Sequence, residues 1–410
     1  MTLNILQFTT YPIEHARHGG QIRALNTKRT LEEAGFQVEN FAVFSQHSYP
    51  SGRPRIDLSL AAGPRLYPHY WQVSDFTSGE ALSTDKALYG DLCREVRSKS
   101  VDVVLLEEPW LGRAILRLKN EGVLTAPIVY NSYNIEYEAK KLILEDAAIP
   151  ETADIVAQIR ALEQDLTAQS AACSAVTDAD AAIMALWTSA DVAVARNGTV
   201  KRKTAHLRGV LPAALDPAFR YMLFTGSAHP PNVSGFVELV LGSLHRLRSN
   251  ERIVVVGSVC DPLYHQIQVT ETPFLIRDKL CLIGQLSDYA LSCVIANASG
   301  LLLPIVYGGG SNLKTAEALV SGKPIVATGK AFRGFEEFSA TPRLRVADDK
   351  VGFANAIRAT FDDGGDLDVE RGDVDVLLWK NCLRPIVEAV KRVADIQGND
   401  GLRGVPCSVG

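Results

Sequence analysis

The stretch YGGGSNLKTAEALVSGKPIVAT, Tyr307 to Thr328, sets three consecutive glycines, a lysine and a glutamate around what reads as the start of a helix. Gly308, Gly309 and Gly310 let backbone N–H groups come close to a ligand with no Cβ in the way, and they tolerate positive φ. Ser311, Asn312 and Leu313 then enter the helix, which is predicted to start near Ser311. Its unpaired N–H groups and positive dipole end favour an anion such as a phosphate. Lys314 adds a full positive charge, and Glu317, three residues on, projects beside it. A carboxylate does not ligate phosphate, but it accepts hydrogen bonds from two adjacent hydroxyls, as on a ribose. A lysine for a diphosphate and a glutamate for a sugar diol, on one helix, describe a nucleotide sugar. The plainer alternative is a simple turn with Glu317 as a solvated charge. Leu313 stands where a P-loop needs glycine before Lys-Thr and where G-x-G-x-x-G needs its third glycine, so both of those motifs fail.

The elements around this loop must position it. GLLLPIV precedes it and PIVAT follows the stop at Gly322, giving strand, loop, helix and strand. The same alternation runs through both halves of the chain and predicts an α/β fold with parallel sheets covered on both faces. In the first half, helices are expected over 85–99, 110–121, 135–146 and 151–172, and Asp178-Ala-Asp180 reads as a helix start. The segment 46–84 has poor periodicity, with Tyr49, Tyr67, Tyr70 and Trp71 among prolines, and is expected to be a long loop suited to stacking on an acceptor. RNGTVKRKTAHLRGVLPAALDPAFR breaks the pattern and marks a junction. The expected domains are 1–205 and 206–373, with a C-terminal helix over about 374–395, kinked at Pro385, that packs back on the first. In the second half, helices are expected over 233–247, 263–269, 287–298 and 349–361.

Composition bounds the function. A chain of 410 residues exceeds one ordinary core, and 47% hydrophobic with 22% charged residues is average for a soluble globular protein. A net charge of -5 with interspersed signs gives no case for nucleic acid. Seven cysteines without C-x-x-C spacing and eight scattered histidines predict free thiols and no structural metal. No apolar run reaches the length of a membrane span, and MTLNILQFTT lacks the basic start of a signal peptide, so a cytoplasmic location is expected.

GGGSNLKTAEALVSGKPIVAT resembles the donor-binding segment of the retaining glycosyltransferases of family 4. LFTGSAHPPNVSGF, VVVG, CLIGQLSD, VARNG, VYNSYNIEYEAKK and HGGQIRA are similar to other family segments in the right order, most strongly over 221–335. The resemblance implies the GT-B fold, two Rossmann-like domains facing each other across a cleft. It also implies transfer from a nucleotide-diphosphate sugar with retention, the leaving phosphate accepting the acceptor's proton. The family pattern has two glutamates eight positions apart; Glu317 matches the second and Gly309 falls on the first, as in a glycine-rich subgroup. That leaves the sugar contact of the first carboxylate to backbone amides or another residue.

The resemblance further implies that Gly19 and Gly20 of the HGGQIR loop face the donor diphosphate and shape the acceptor side, where His18 and Arg23 could neutralise phosphate. Gly226, Ser227 and His229 sit where the family has a phosphate-clamping arginine, so donor charge rests on Lys314 and the helix start, with His229 or Arg333 as helpers. Glu107 and Glu108 follow a strand; Glu108 either accepts a hydroxyl of donor or acceptor or caps a helix. Asn134 and Glu136 match an acceptor-side segment, or cap the next helix.

The chain therefore reads as a glycosyltransferase with Glu108, Lys314 and Glu317 as catalytic candidates, acting without metal or other cofactor on a glycan, lipid-linked or small-molecule acceptor. Peripheral membrane contact is left open for a lipid-linked acceptor, although no basic amphipathic helix in the first domain argues for it. The alternatives are a non-catalytic two-lobed sugar-binding protein and a GT-B nucleotide-sugar epimerase.

Overall fold

The computed structural model describes residues 2–50, 52, 55–58, 70–202, 213, 215–268, 276, 278–364 and 373–403, with side chains as far as 395. Tyr67 of the expected aromatic loop, Cys407 and the end of the tail lie outside the described residues. The chain divides into two compact units, Met1–Arg196 with Cys382–Gly410, and Asn197–Asn381.

The first unit is built on seven strands: β1 (Asn4–Thr9), β2 (Gln37–Phe44), β3 (Ile56–Asp57), β4 (Val103–Glu107), β5 (Ile128–Asn131), β6 (Ala172–Ala175) and β7 (Val192–Val194). They lie in the order β3-β2-β1-β4-β5-β6-β7, and every pairing is parallel. Helices cover both faces, so central strands such as VVLLE of β4 are buried along their whole length. The strand order reverses between β1 and β4, which opens a crevice at their carboxyl ends where α/β sheets bind ligands.

The second unit has β8 (Arg220–Thr225), β9 (Glu251–Val256), β10 (Leu280–Gly284), β11 (Gly300–Leu303), β12 (Ile325–Ala327) and β13 (Leu344–Val346). Their order is β10-β9-β8-β11-β12-β13, again all parallel. Here the reversal falls between β8 and β11. The loop after β11 is the glycine loop, and the loop after β8 is GSAH. Topology thus brings together two segments far apart in the chain.

Several elements differ from expectation. The 46–84 segment is not one loop: a turn at Trp71–Val73 runs into a helix over Ser74–Thr84. Its buried side rests on Phe76 and Leu82, and Gly79 passes so close to another segment that a Cβ there would lie 1.7 Å from the Trp110 carbonyl oxygen. Trp71 stays 66% exposed. The helix expected over 233–247 starts earlier, at Pro230, and loses its regular pitch after Gly235. Pro385 does not kink a long helix; the final helix starts at Arg384 and carries the proline in its first turn, where no intrahelical N–H is lost. Its inner side, including Ile386, Ala389 and Val390, is buried within the first unit. Among the described residues, no helix is long and apolar enough to cross a membrane.

Gly235 ties the two loops of the second sheet together. A Cβ at this position would stand 1.9 Å from the Pro304 carbonyl oxygen, which is backbone and has little room to move. Gly235→Ala is therefore expected to destabilise the protein by about 3 kcal/mol, read as a lowered midpoint in urea with an unchanged slope. A midpoint equal to the parent's would show that this close approach is not needed.

Candidate functional site

In the second unit the glycine loop is shaped by backbone that only glycine adopts readily: Gly308 has φ 133° and Gly310 has φ 61°. Arg333 holds this shape by donating from Nε to the Gly310 carbonyl and from its terminal nitrogen to the Gly308 carbonyl. Arg333 thus braces the loop, where the sequence suggested a phosphate helper. Ser311 is also structural, since its Oγ accepts from the Asn197 N–H at 3.0 Å and its carbonyl accepts from the Asn197 amide at 2.8 Å.

The helix spans Leu313–Ser321, two residues later than the predicted start, and Gly322 ends it in the left-handed region with φ 72°. Asn312 is the N-cap, yet its side chain makes no capping bond. The N–H groups of Leu313 and Lys314, at the positive end of the helix, therefore receive no capping bond from the Asn312 side chain. Thr315, fully buried, anchors the helix from below through a bond from its hydroxyl to the Ala331 carbonyl.

Lys314 lies in the first turn of this helix. Its Nζ stands 4.9 Å from the centre of the Phe224 ring and donates to Asn232 Oδ1. The Asn232 amide in turn donates to the Ser227 carbonyl at 2.9 Å, so Asn232 joins the loop after β8 to the lysine after β11. Burial pushes the Lys314 ammonium down to about 7, with the neighbouring Glu317 carboxylate opposing that shift. Glu317 Oε1 accepts from Arg202 at 3.2 Å. Gly226 packs tightly beneath: a Cβ on Gly257 would lie 2.1 Å from the Gly226 carbonyl oxygen. His229 is exposed and precedes the Pro230–Gly235 helix without capping it through its side chain.

The structure therefore gathers Gly226, Ser227, Gly308, Gly310, Asn312, Leu313, Lys314 and Glu317 at the β8/β11 switch point, with Gly309 between its two positive-φ neighbours. Three contributors were missed in the sequence. Asn232 lies inside the HPPN motif, where a short amide after two prolines was the available signal. Phe224 lies in the apolar run of β8, with no polar group to mark it. Arg202 lies in the basic run that marks the expected domain junction.

In the first unit, Gly19 and Gly20 are the opening residues of the Gly19–Glu33 helix and not part of a loop. His18 is its N-cap, with Nδ1 accepting from the Gln21 N–H at 3.5 Å. Gly20 is required by the Tyr11 ring, whose hydroxyl would lie 2.7 Å from a Cβ. Arg23, expected at the acceptor side, is only 1% exposed. It donates to Asn131 Oδ1 at 2.9 Å and to the Ala195 carbonyl at 2.8 Å. It belongs to a buried network centred on Glu107, which accepts from Gln7 at 2.7 Å, Asn131 at 2.6 Å and Tyr133 at 2.8 Å. These partners satisfy a buried charge that would otherwise be costly. The network holds the carboxyl ends of β1, β4 and β5 in place.

Glu108 leaves β4 in the left-handed region with φ 61°, unusual for a residue other than glycine. Its carboxyl faces the Tyr11 hydroxyl and lies near Glu136. Burial, together with the Glu136 charge, pushes it well above the usual carboxylate range. Burial likewise pushes Glu136 up to about 7, against the pull of Lys140 and the Asn134 amide, which donates to it at 2.8 Å. Neither Asn134 nor Glu136 caps the helix that follows; Glu163 does so, its two oxygens accepting from the N–H groups of Glu136 at 2.7 Å and Tyr137 at 2.8 Å. Lys140 donates to Asp75 and to the Gln72 carbonyl, both at 2.6 Å. The carboxyl end of this sheet thus presents the carboxyl groups of Glu108 and Glu136, both pushed upward by burial, which can exchange hydrogen bonds with hydroxyls.

Residues 220–363 match the family model described as Glycosyl transferases group 1. Among solved structures, the chain is similar to α,α-trehalose 6-phosphate synthase from Burkholderia multivorans, at 12% identity over 97% of this chain and 99% of that one, with a TM-score of 0.59. It is similar to the catalytic domain of starch synthase IV from Arabidopsis thaliana bound to ADP and acarbose, at 11% identity over 96% and 100%, with a TM-score of 0.58. It is also similar to Anabaena Alr3699/HepE in complex with UDP-glucose, at 12% identity over 97% and 100%, with a TM-score of 0.56. No curated protein sequence matches the chain. With two parallel-sheet units of this order and these structural neighbours, the chain has the GT-B fold, and residues 220–363 of its second unit are similar to the Glycosyl transferases group 1 family.

Proposed function

We propose that this protein transfers a sugar from a nucleotide-diphosphate donor to a hydroxyl-bearing acceptor. The observation that carries this reading is the uncapped start of the Leu313–Ser321 helix behind a positive-φ glycine loop, with Lys314 and Glu317 on its first turns. As the glycosidic bond to phosphate breaks, negative charge develops on the leaving diphosphate. The N–H groups of Leu313 and Lys314 are fixed in advance where that charge forms, and the Lys314 ammonium, held on Asn232 in the empty site, turns onto it to stabilise the transition state. Glu317 accepts the ribose hydroxyls, and the neighbours solved with UDP-glucose and with ADP support a nucleoside-diphosphate donor. This charge compensation comes from the chain itself, and the reading requires no metal ion.

Retention follows in this reading if the acceptor hydroxyl attacks from the face that the diphosphate leaves, passing its proton to the phosphate. The first unit takes the acceptor, a glycan, a lipid-linked sugar or a small molecule, with Glu108, Asn134 and Glu136 meeting its hydroxyls. In this reading the N-terminal unit binds the acceptor and the C-terminal unit the donor; the units divide at 196/197, where the sequence suggested 205/206.

The test is release of nucleoside diphosphate from UDP-, GDP- and ADP-sugars by the purified full-length chain, with and without added glycosides. We expect one nucleotide series to be cleaved slowly alone and faster with an acceptor. Absence of release from all three series, together with absence of binding, would contradict the reading.

A further inference from the structure

Arg202 stands in a run whose composition suggests a solvated linker, but the residues just before it are fixed in place. Asn197, five residues earlier, is bonded to both the hydroxyl and the carbonyl of Ser311 at the foot of the glycine loop. Gly198 lies against Trp379 so closely that a Cβ would stand 2.9 Å from its backbone nitrogen. The Thr199 N–H donates to the Leu377 carbonyl at 2.9 Å, and the Trp379 N–H donates to the Thr199 carbonyl at 3.2 Å. The backbone leading into Arg202 is thereby held from Asn197 to Thr199.

The guanidinium is held as well. One terminal nitrogen donates to the Ser292 hydroxyl at 3.0 Å and to the Asp288 carbonyl at 3.3 Å, both on the Asp288–Asn297 helix. The other donates to Glu317 Oε1 at 3.2 Å. Both side chains are mostly enclosed, with 18% of Arg202 and 21% of Glu317 exposed. A planar guanidinium anchored along one edge presents its other donor in a set direction, which a flexible lysine would not do. Among the described residues, Glu317 Oε2 accepts no hydrogen bond. One oxygen of the carboxylate is therefore engaged and its partner is left to meet a ligand.

We infer that Arg202 is a positioning residue for the nucleotide's ribose: by holding Glu317 at one oxygen it presents the other to the ribose hydroxyls, and so sets a preference for ribo- over deoxyribonucleotides. The inference rests on the reading of Glu317 as the ribose ligand given above. A carboxylate aimed at a hydroxyl rejects an analogue lacking that hydroxyl, because the oxygen is then left without a donor. A carboxylate free to swing would turn to water and discriminate less.

Calorimetry on the full-length chain with UDP, GDP and ADP and their 2′-deoxy counterparts tests this. The parent is expected to bind the ribonucleotide of its preferred base roughly tenfold more tightly than the deoxy form. In Arg202→Gln the ratio should fall to within about twofold, through weaker binding of the ribonucleotide alone, and Arg202→Lys should lie between. Adding Arg202→Gln to Glu317→Gln should change the ratio no further, since the two act as one unit. If Arg202→Gln weakens both nucleotides equally and keeps the ratio, the residue is merely structural and the inference is overturned. Should that variant fail to fold, the ratio measured on Arg202→Lys decides in the same way. A parent that binds nucleotides with no ribo preference overturns the inference while leaving the donor site standing. A parent that binds none removes both.

Discussion

Lys314→Ala is expected to lower kcat/KM for the sugar donor by roughly 10²–10³-fold and to abolish the rise in melting temperature that a nucleoside diphosphate gives the parent. The magnitude is that of removing one preorganised charge-bearing donor from a developing oxyanion. Neighbouring N–H groups do not replace it, because Leu313 and Lys314 already direct theirs from fixed positions at the helix start. In the parent, a nucleotide at a hundred times its dissociation constant stabilises by about 2.7 kcal/mol, which is easily read as a shifted midpoint. Glu317→Ala should also lose that shift, through the ribose. Melting of the ligand-free variants distinguishes a lost site from a lost fold: removing Lys314 takes away a poorly solvated ammonium, so the empty protein should not be weakened. Variants that respond to nucleotide as the parent does would contradict the assignment of both residues.

The second large effect is a dependence on pH. Burial between Phe224, Asn232 and the helix holds the empty site's Lys314 at about 7, so above that value the lysine is mainly neutral. A bound diphosphate favours the ammonium and raises its pKa, so binding above pH 7 takes up a proton. Donor affinity should therefore be flat below about pH 7 and should fall by up to about tenfold per unit above it, until the pKa of the bound form is reached. A nucleotide sugar is the appropriate ligand because its phosphates do not titrate in this range. Proton uptake can be read directly from binding heats in buffers of different ionisation enthalpy, and Lys314→Met should remove it. Stability of the empty protein has the opposite sign. The unfolded chain holds the lysine proton between pH 7 and 10.5 and the folded chain does not, so this group's contribution to stability rises with pH across that window. An affinity that stays constant from pH 7 to 9 would show that the lysine is charged before the donor arrives.

The parts of the molecule set by local pattern were legible in the sequence. Runs such as VVLL of β4 and VVV of β9 can only be central parallel strands, and the glycine-lysine-glutamate pattern between two apolar runs placed the loop and helix to within two residues. What was not legible depends on contacts between distant segments. The Ser74–Thr84 helix has a composition that suits a loop, and it is helical because Phe76 and Leu82 find a core and Gly79 fits under the Trp110 carbonyl. Arg23 sits on a helix stripe of Gln21, Ala24, Thr27 and Thr30, polar enough to look solvated, and is buried by partners from β5 and the end of β7. Arg202 meets Glu317 across 115 residues of chain, and nothing in the run KRK distinguishes the arginine that is held from the lysines beside it. Buried charges are therefore the residues for which pattern reading assigned the wrong surroundings. Their positions are set by the tertiary fold.

The most direct measurement is a crystal structure of the full-length chain with a hydrolysis-resistant nucleotide sugar. The account predicts diphosphate oxygens within hydrogen-bonding distance of the Leu313 and Lys314 N–H groups, the Lys314 ammonium turned from Asn232 onto phosphate, and the ribose hydroxyls on Glu317. Density for the nucleotide at another place, with the Gly308–Asn312 loop empty and Lys314 still on Asn232, would contradict it.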